Sequence, residues 1–359
     1  MKEGSTLTVS YRNTNHIFPD GEIIDRTQPV SKAREVLGYA FALVVVHYFL
    51  WVFVVIGVLW LIYVMLGKIA ATIFLLIYIQ SFLRMDQFKT GRPWPSLRQN
   101  SLWHVVHKYL GVEAVRTAEL DPHKQYIFGI HPHGILILSR PSIYGGVFET
   151  LFPGIELRVL GASPMFWVPG CKEFCLWLEA INAAKSVAVK ALRSIVPKSK
   201  DNKSGKLSLM VYPGGSKEIF TTNPKGDENT IVARKGFIKL AIETGCDLVP
   251  GFVFGEKNCY DRKFLPKVIE DFFMKTLKLP VILFFGKFWT WLPMSGKPGI
   301  TIVYGKPIPV IQSDAPTKEY IDELFKKFYD QIGALFETHK INAGYTKDQR
   351  LVVRVEEKG

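Results

Sequence analysis

The sequence predicts an α/β fold in which a mostly parallel sheet is flanked by helices and preceded by an N-terminal transmembrane hairpin. After residue 84, apolar runs typical of buried strands alternate with helix-like segments, which favours parallel strands connected by helices. The segment 36–83 carries one Lys and no Asp, Glu or Arg, and it is long enough for two membrane spans. The chain has 359 residues, of which 48% are hydrophobic, so it can also bury a large core.

Four segments are predicted along the chain. Residues 1–35 are polar and rich in turn-forming residues, so they are expected to form a loosely ordered tail. Residues 36–83 form the predicted hairpin, and residues 84–345 form one cytosol-facing α/β domain. Residues 346–359 are expected to form a C-terminal tail.

Charges on either side of the apolar block predict its orientation. Lys32 and Arg34 precede the block, and Arg84 follows it. Because basic residues near membrane segments prefer the cytoplasmic side, both ends of the block are expected in the cytosol. The alternative is one span from residue 36 to about residue 56, continued by an interfacial helix.

Hydrophobic periodicity predicts the elements that follow. Helices are expected at 101–110, 164–181 (interrupted at 169–170), 185–195, 234–244 and 318–340. Strands are expected at 126–130, 207–212, 247–254, 281–285 and 300–304.

The segment His131-Pro132-His133-Gly134 lies where the strand 126–130 ends. Loops at strand ends commonly carry chemistry on a rigid scaffold. Histidine can exchange protons near neutral pH, and glycine lets a substrate approach the backbone closely. In an extended segment the two histidines would point to the same side. A pair of ordinary loop histidines is the alternative, but the combination of these four residues favours a functional site.

Two further predicted strands end in glycine turns, and an acid follows each turn. Gly214 and Gly215 precede Glu218, and a similar turn precedes Glu256. In a parallel sheet these strand ends share one edge, where either carboxylate could orient a histidine. Backbone N–H groups at the glycine pair could stabilise an oxyanion. The alternatives are surface or capping carboxylates and a plain tight turn.

The net charge of +13 favours an anionic membrane surface or an anionic ligand such as a nucleotide-bearing thioester. Arg234 and Lys235 open a predicted helix, and Lys217 lies nearby in the sequence. Cations at a helix N-terminus suit phosphate, although a solvated helix face has the same pattern. No nucleic-acid-binding signature is present, so nucleic acid is not an expected partner.

Several other chemistries find little support in the sequence. A Gly-x-Ser-x-Gly elbow, a His-Glu-x-x-His motif and a P-loop are absent. The four cysteines have no zinc-type spacing, which suits a reducing cytosolic environment. His131 and His133 could be two metal ligands, and His123 and Glu218 are conceivable as a third, but none is obvious, so no metal is expected. A membrane-bound metal-dependent hydrolase is kept as an alternative.

The motifs together resemble the type 2 diacylglycerol acyltransferase family, which includes mono- and diacylglycerol acyltransferases and wax-alcohol acyltransferases. The resemblance covers roughly residues 81–340, in the right order. It rests on His131-Pro132-His133-Gly134, Tyr212-Pro213-Gly214-Gly215-Ser216-Lys217-Glu218, Arg234-Lys235-Gly236-Phe237, Leu248-Val249-Pro250, Phe254-Gly255-Glu256, Phe152-Pro153-Gly154 and Gly305-Lys306-Pro307-Ile308. The chain departs from many relatives at Ser216-Lys217, where they carry small residues.

The resemblance implies an acyl-CoA-dependent O-acyltransferase of the endoplasmic reticulum membrane and lipid droplets, with its active site at residues 131–134. The leading hypothesis is acyl transfer to the hydroxyl of diacylglycerol, with acyl-CoA as co-substrate and no permanently bound cofactor. His133 is the expected base, with His131 and Glu218 in orienting roles. Monoacylglycerol and long-chain alcohol are alternative acceptors. A non-catalytic lipid-binding protein is the alternative outside enzymes, and a homo-oligomer is left open.

Overall fold

The structure is a computed structural model that describes residues 6–12, 21–221, 223, 226–263, 265–277, 282–294 and 299–356. The strands are β1 (Leu7–Ser10), β2 (Glu22–Asp25), β3 (Glu113–Arg116), β4 (Tyr126–His131), β5 (Glu156–Gly161), β6 (Ala180–Asn182), β7 (Leu207–Val211), β8 (Glu228–Ala233), β9 (Asp247–Phe254), β10 (Asp261–Lys263), β11 (Leu283–Phe285), β12 (Thr301–Tyr304) and β13 (Arg350–Val355). The α-helices are α1 (Lys32–Val46), α2 (Trp51–Leu83), α3 (Pro95–Arg98), α4 (Trp103–Leu110), α5 (Val147–Leu151), α6 (Cys171–Trp177), α7 (Lys185–Arg193), α8 (Ser216–Thr221), α9 (Gly236–Thr244), α10 (Lys267–Leu277) and α11 (Lys318–His339).

A nine-stranded sheet with the order β2-β1-β3-β12-β9-β4-β7-β5-β6 forms the centre of the described fold. Its pairings are parallel except those of β1 with β3 and of β12 with β9. β9, β4 and β7 are parallel neighbours, so their carboxyl ends lie side by side at one edge of the sheet. The predicted mostly parallel sheet is therefore confirmed.

Helices cover both faces of this sheet. Ile127 of β4 belongs to an apolar cluster with residues of α7, α9 and α11, and we call this side the α11 face. Phe128 and Ile130 belong to a second cluster with residues of α1, α4 and α5, on what we call the α1 face. Because successive strand residues point to opposite sides, the two clusters lie on opposite faces of the sheet.

Both predicted tails contain strands. Within 1–35, β1 pairs with β3 and places Leu7 and Val9 in the core. Within 346–359, β13 pairs in parallel with β8. Apolar alternation over so few residues does not distinguish a strand from a polar tail, so the sequence did not predict these two strands.

Two other predicted elements differ from the structure. The helix expected at 164–181 is divided: α6 covers its centre and the strand β6 ends it. Gly170, at the start of α6, has a φ of +78°, which is incompatible with a continuous helix. β11 pairs with β10 outside the central sheet, and residue 281 of the predicted strand lies outside the described residues.

Among the described residues, the stretch Trp51–Phe88 is long and apolar enough to cross a membrane, and its most apolar part is not buried. The helix is interrupted at Gly67, where φ is +82°. Its beginning contacts α6, because the Trp51 ring lies 4.7 Å from the ring of Phe174. Its end contacts the same short helix, because the Lys172 ammonium donates a hydrogen bond to the carbonyl oxygen of Phe82. The two ends of α2 therefore meet at one place on the α/β domain.

Candidate active site

The loop that carries the two histidines leaves β4 at the edge shared by β7 and β9, as the sequence predicts. His131 is the last residue of β4, and Gly134 turns the chain with a φ of +63°. The segment after β7 supplies Glu218, and the segment after β9 supplies Glu256. The two carboxylates contact this loop from its two neighbouring strands.

Glu218 is a fully buried hydrogen-bond acceptor for the loop. One carboxylate oxygen accepts from His131 Nδ1 and from the Val232 N–H, both at 2.7 Å. The other oxygen accepts from the His133 N–H at 2.5 Å. Burial acts to raise the pKa of Glu218, but His131 and these hydrogen bonds outweigh it and lower the pKa below its usual value. Glu218 is therefore an anion at neutral pH.

His131 has a protein partner at each ring nitrogen. Its Nδ1 donates to Glu218, and its Nε2 lies 3.3 Å from the hydroxyl of Tyr329. That hydroxyl accepts from the Arg234 N–H at 3.2 Å, so it can give its own proton to Nε2. His131 is also 0% exposed, so both ring nitrogens are held inside the protein by these partners.

His133 is only partly buried, and its ring is arranged differently. Nδ1 lies 3.0 Å from the carbonyl oxygen of Gly134, which can only accept, so Nδ1 carries the proton. Burial, with a smaller contribution from His131, lowers the pKa of His133 and keeps the ring neutral near pH 7. The lone pair of Nε2 is then available to accept a proton, which is what a general base requires.

The two imidazoles do not share one side, contrary to the sequence-based expectation. His131 approaches Tyr329 of the α11 face, whereas the His133 ring meets Tyr212 of the α1 face with 5.8 Å between centroids. The chain leaves the extended conformation after His131, where β4 ends, so strand alternation no longer applies. Neither tyrosine was among the expected site residues. Tyr212 opens one of the quoted motifs but was given no role, and Tyr329 lies on a predicted helix, where an aromatic residue is typical of a core position.

Glu256 contacts the backbone that follows the histidines. Its carboxyl group accepts from the Leu138 N–H at 2.7 Å and from the Ser139 N–H at 3.3 Å. Burial raises the pKa of Glu256 to about 8, so most of it is protonated at neutral pH. Gly134 packs directly on it, because a Cβ there would lie 2.4 Å from the Glu256 carboxyl carbon. Glu256 therefore shapes the loop and binds neither histidine ring.

The glycine pair after β7 supports Glu218. A Cβ on Gly214 would lie 2.0 Å from the Glu218 carboxyl carbon, so a larger residue would displace the carboxylate. The Gly215 N–H donates to the carbonyl oxygen of Tyr212 at 3.0 Å, within the turn. This amide is therefore already occupied, and the oxyanion role predicted for it requires the turn to open.

Comparison with known proteins decides the family. The family model described as diacylglycerol acyltransferase matches residues 60–354, which is most of the chain. The chain belongs to the diacylglycerol acyltransferase family. It is accordingly an O-acyltransferase, as the motifs suggested.

Individual relatives of this acyltransferase agree with that assignment. A protein named 2-acylglycerol O-acyltransferase 1, from Mus musculus, is 33% identical over 278 residues, covering 74% of this chain and 80% of the relative. Diacylglycerol O-acyltransferase 1 from Schizosaccharomyces pombe is 31% identical over 283 residues, covering 74% and 79%. The crystal structure of the 1-acyl-sn-glycerophosphate acyltransferase of Thermotoga maritima aligns with 84% of this chain and 99% of its own, at 15% identity and a TM-score of 0.36. That likeness is too distant to bear on the site.

The cations predicted to bind phosphate lie in ion pairs in the acyltransferase. Arg234 Nε donates to Glu356 at 2.8 Å, and the Lys217 ammonium pairs with the same carboxylate. Lys235 pairs with Asp322. Burial acts to raise the pKa of Glu356, but Lys217 and Arg234 lower it below its usual value. The role of Glu356 as an ion-pair partner was not predicted, because a single acidic residue in an expected tail forms no recognisable sequence pattern.

An apolar cavity lies next to the histidine loop. The loop after Gly134, the end of α1 and the helix α6 all contribute to it, through Leu136, Ile137, Leu138, Val45, Val46 and Phe174. The cavity thus extends from the loop to the part of the chain that leads into the candidate membrane helix α2. Such a cavity can bind an apolar chain, because the chain remains in contact with apolar side chains and out of water.

Proposed function

We propose that the protein transfers a fatty acyl group from acyl-CoA to the free hydroxyl of diacylglycerol, giving triacylglycerol. One observation carries the proposal. His133 is neutral, its Nδ1 is fixed by the Gly134 carbonyl, and its Nε2 is left to accept a proton. Residues 136–138, which follow the histidine loop, line an apolar cavity, and the chain belongs to the diacylglycerol acyltransferase family.

In the proposed reaction, His133 Nε2 takes the proton of the acceptor hydroxyl as that oxygen attacks the thioester carbonyl carbon. A carbon–oxygen bond forms, the carbon–sulfur bond breaks, and the thiolate of coenzyme A leaves with the proton from His133. Glu218 holds the His133 backbone and, as a nearby anion, favours the transient imidazolium. General-base catalysis of this kind contributes about a hundred- to ten-thousandfold in rate.

We propose that Arg234, Lys235 and Lys217 bind the phosphates of coenzyme A. The backbone N–H of Arg234 donates to the Tyr329 hydroxyl, which contacts His131, so Arg234 is linked to the histidine loop through one residue. Phosphate would replace the carboxylate that now pairs with Arg234, since guanidinium and phosphate match in geometry and charge.

We propose a membrane hairpin whose two ends lie in the cytosol. The strand β1 precedes the candidate membrane helix, the strand β3 follows it, and the two pair in one sheet. A single span would put β1 and β3 on opposite sides of the bilayer, so this pairing supports an even number of crossings. The break at Gly67 lies where such a hairpin needs its turn. A hairpin entering from one side fits the endoplasmic reticulum membrane and also the lipid monolayer of a droplet.

Monoacylglycerol is the second candidate acceptor. The relative from Mus musculus that is 33% identical is named a 2-acylglycerol O-acyltransferase. Both acceptors offer a primary or secondary hydroxyl next to acyl esters, so the same base would serve them.

The test is to express the chain in cells that lack storage lipid and to supply their membranes with labelled acyl-CoA and one acceptor at a time. We expect labelled triacylglycerol from diacylglycerol, and a loss of about a hundred- to ten-thousandfold in His133→Ala. His123→Ala, at an exposed loop histidine, is the matched control and should keep full activity. Full activity in His133→Ala would show that His133 is not the base. Labelled product from monoacylglycerol alone would show that monoacylglycerol, and not diacylglycerol, is the acceptor.

A further inference from the structure

Arg140 places a permanent cation on the wall of the apolar cavity. Its Nε donates to the hydroxyl of Tyr144 at 2.9 Å, and one terminal nitrogen donates to the carbonyl oxygen of Leu178 at 2.8 Å. Both partners are neutral. Within the part of the chain that the structure describes, Arg140 has no salt bridge, and its other terminal nitrogen has no hydrogen-bond partner. A guanidinium has five N–H donors in one plane, so donors are left for a ligand.

The acids near Arg140 are already engaged. Glu179, which interacts electrostatically with Arg140, lies 3.0 Å from Arg98 and 3.9 Å from Arg158. Glu149 and Glu156 belong to the same network of ion pairs, through Arg98 and Arg158. Apart from Arg140, the residues that line the cavity are mostly apolar, so the cavity suits a neutral ligand. A neutral acceptor of hydrogen bonds, such as a carbonyl oxygen, fits the remaining donors better.

Arg140 is also close to the proposed base. The Tyr212 ring contacts the ring of His133, and its hydroxyl lies 3.2 Å from the Ser139 hydroxyl, one residue before Arg140. Tyr212, which contacts the base, also interacts electrostatically with Arg140. A molecule whose reacting hydroxyl reaches His133 would bring its neighbouring groups towards Arg140.

We propose that Arg140 donates a hydrogen bond to an ester carbonyl of the acyl acceptor, and that it thereby selects glycerolipids over acceptors without an ester. This inference rests on the proposed acyl transfer. Val45 and Val46 at the end of α1 line the same cavity, so the acyl chain of the acceptor lies towards the membrane segment. The polar part of the acceptor then lies at Arg140, where the cavity has its cation.

The experiment compares two acceptors of nearly equal shape, 1,2-dioleoyl-sn-glycerol and its diether analogue 1,2-dioleyl-sn-glycerol, which lacks the carbonyl oxygens. The full chain is assayed in detergent, and kcat/KM is measured for each acceptor. We expect the wild type to prefer the diester by about ten- to a hundredfold, the effect of one hydrogen bond from a charged donor. Arg140→Met should abolish this preference by losing diester activity, while its diether activity and its KM for acyl-CoA stay unchanged.

Two more variants complete the test. Arg193→Met removes an exposed arginine of α7 and should keep the wild-type preference. Arg140→Lys keeps the positive charge with fewer N–H donors, so it should show an intermediate preference for the diester. If Arg140→Met does not fold, this variant tests the role of Arg140 in its place. Equal losses with both acceptors, or no preference in the wild type, would overturn the role of Arg140. If the wild type acylates neither acceptor, the proposed function itself fails.

Discussion

Two buried glutamates flank the histidine loop, and they differ in charge. Glu218 accepts from the His131 imidazole and from two backbone N–H groups at 2.7 Å or less, and its pKa is lowered. Glu256 accepts from backbone N–H groups at 2.7 and 3.3 Å, and burial raises its pKa to about 8. Both side chains are nearly inaccessible to water, so burial alone does not determine which carboxyl group is an anion. The donors that face each group determine it.

The largest effect that tests this comparison is expected from Glu218→Gln. The –NH₂ group of the new amide is a donor, and it would face N–H donors that now bind the carboxylate. We therefore expect the free energy of unfolding to fall by about 3 kcal/mol. Acyl transfer should fall about a hundredfold, because His133 loses its orientation. Glu256→Gln is the matched control and should change either quantity far less, since its amide resembles the protonated acid. Thermal unfolding of the purified proteins measures the change in stability, and their turnover measures the change in acyl transfer. Equal losses in the two variants would show that the two glutamates do not differ in the way proposed.

Gly134→Ala tests the packing of the loop on Glu256. Gly134 and Gly146 both have a positive φ, of +63° and +78°, so alanine strains the backbone at either position. Only Gly134 also packs on a carboxyl group, since a Cβ at Gly146 would meet no atom within 4 Å. We therefore expect Gly134→Ala to lower the free energy of unfolding by about 1–3 kcal/mol more than Gly146→Ala. Equal losses would show that Glu256 does not hold the loop.

The pH dependence of stability separates the two carboxyl groups in another way. Between about pH 4.5 and pH 8, Glu256 binds its proton in the folded chain but not in the unfolded chain. The free energy of unfolding therefore falls as the pH rises through this range, by up to about 1.4 kcal/mol per unit. Glu256→Gln should remove this decline, which thermal unfolding from about pH 6 to about pH 8 would measure. A decline that persists in the variant would assign it to other groups.

The smallest effect is expected at a third carboxylate, Glu356, which is partly exposed. Ion pairs near the surface contribute about 0–1 kcal/mol, so Glu356→Gln should leave thermal stability nearly unchanged. It should lower the KM for acyl-CoA by less than about fivefold, because Arg234 becomes free to bind phosphate. Asp322→Asn, which frees Lys235, is the parallel variant. A raised KM in Glu356→Gln would mean that Glu356 positions Arg234 for binding.

Much of this site follows from the sequence, because its groups stand directly after long apolar strands. The strands expected at 126–130, 207–212 and 247–254 exist, and their shared edge brings the histidines, Glu218 and Glu256 together. The charge difference between the glutamates could not be predicted, since it depends on donors such as Val232 and Leu138. Those contacts are fixed by tertiary packing and leave no local pattern. The strands β1 and β13 were missed for another reason, because an alternation over so few residues does not identify a strand.

The pairing of β1 with β3 also sets an order of biogenesis. β1 (Leu7–Ser10) leaves the ribosome roughly 100 residues before β3 (Glu113–Arg116), which is on the order of 10 s at the usual rate of synthesis. During that interval the apolar segment between them emerges and is available for insertion into the lipid. Sheet closure is therefore a late event, and delayed insertion would leave the edge of β3 open to pairing with other nascent chains.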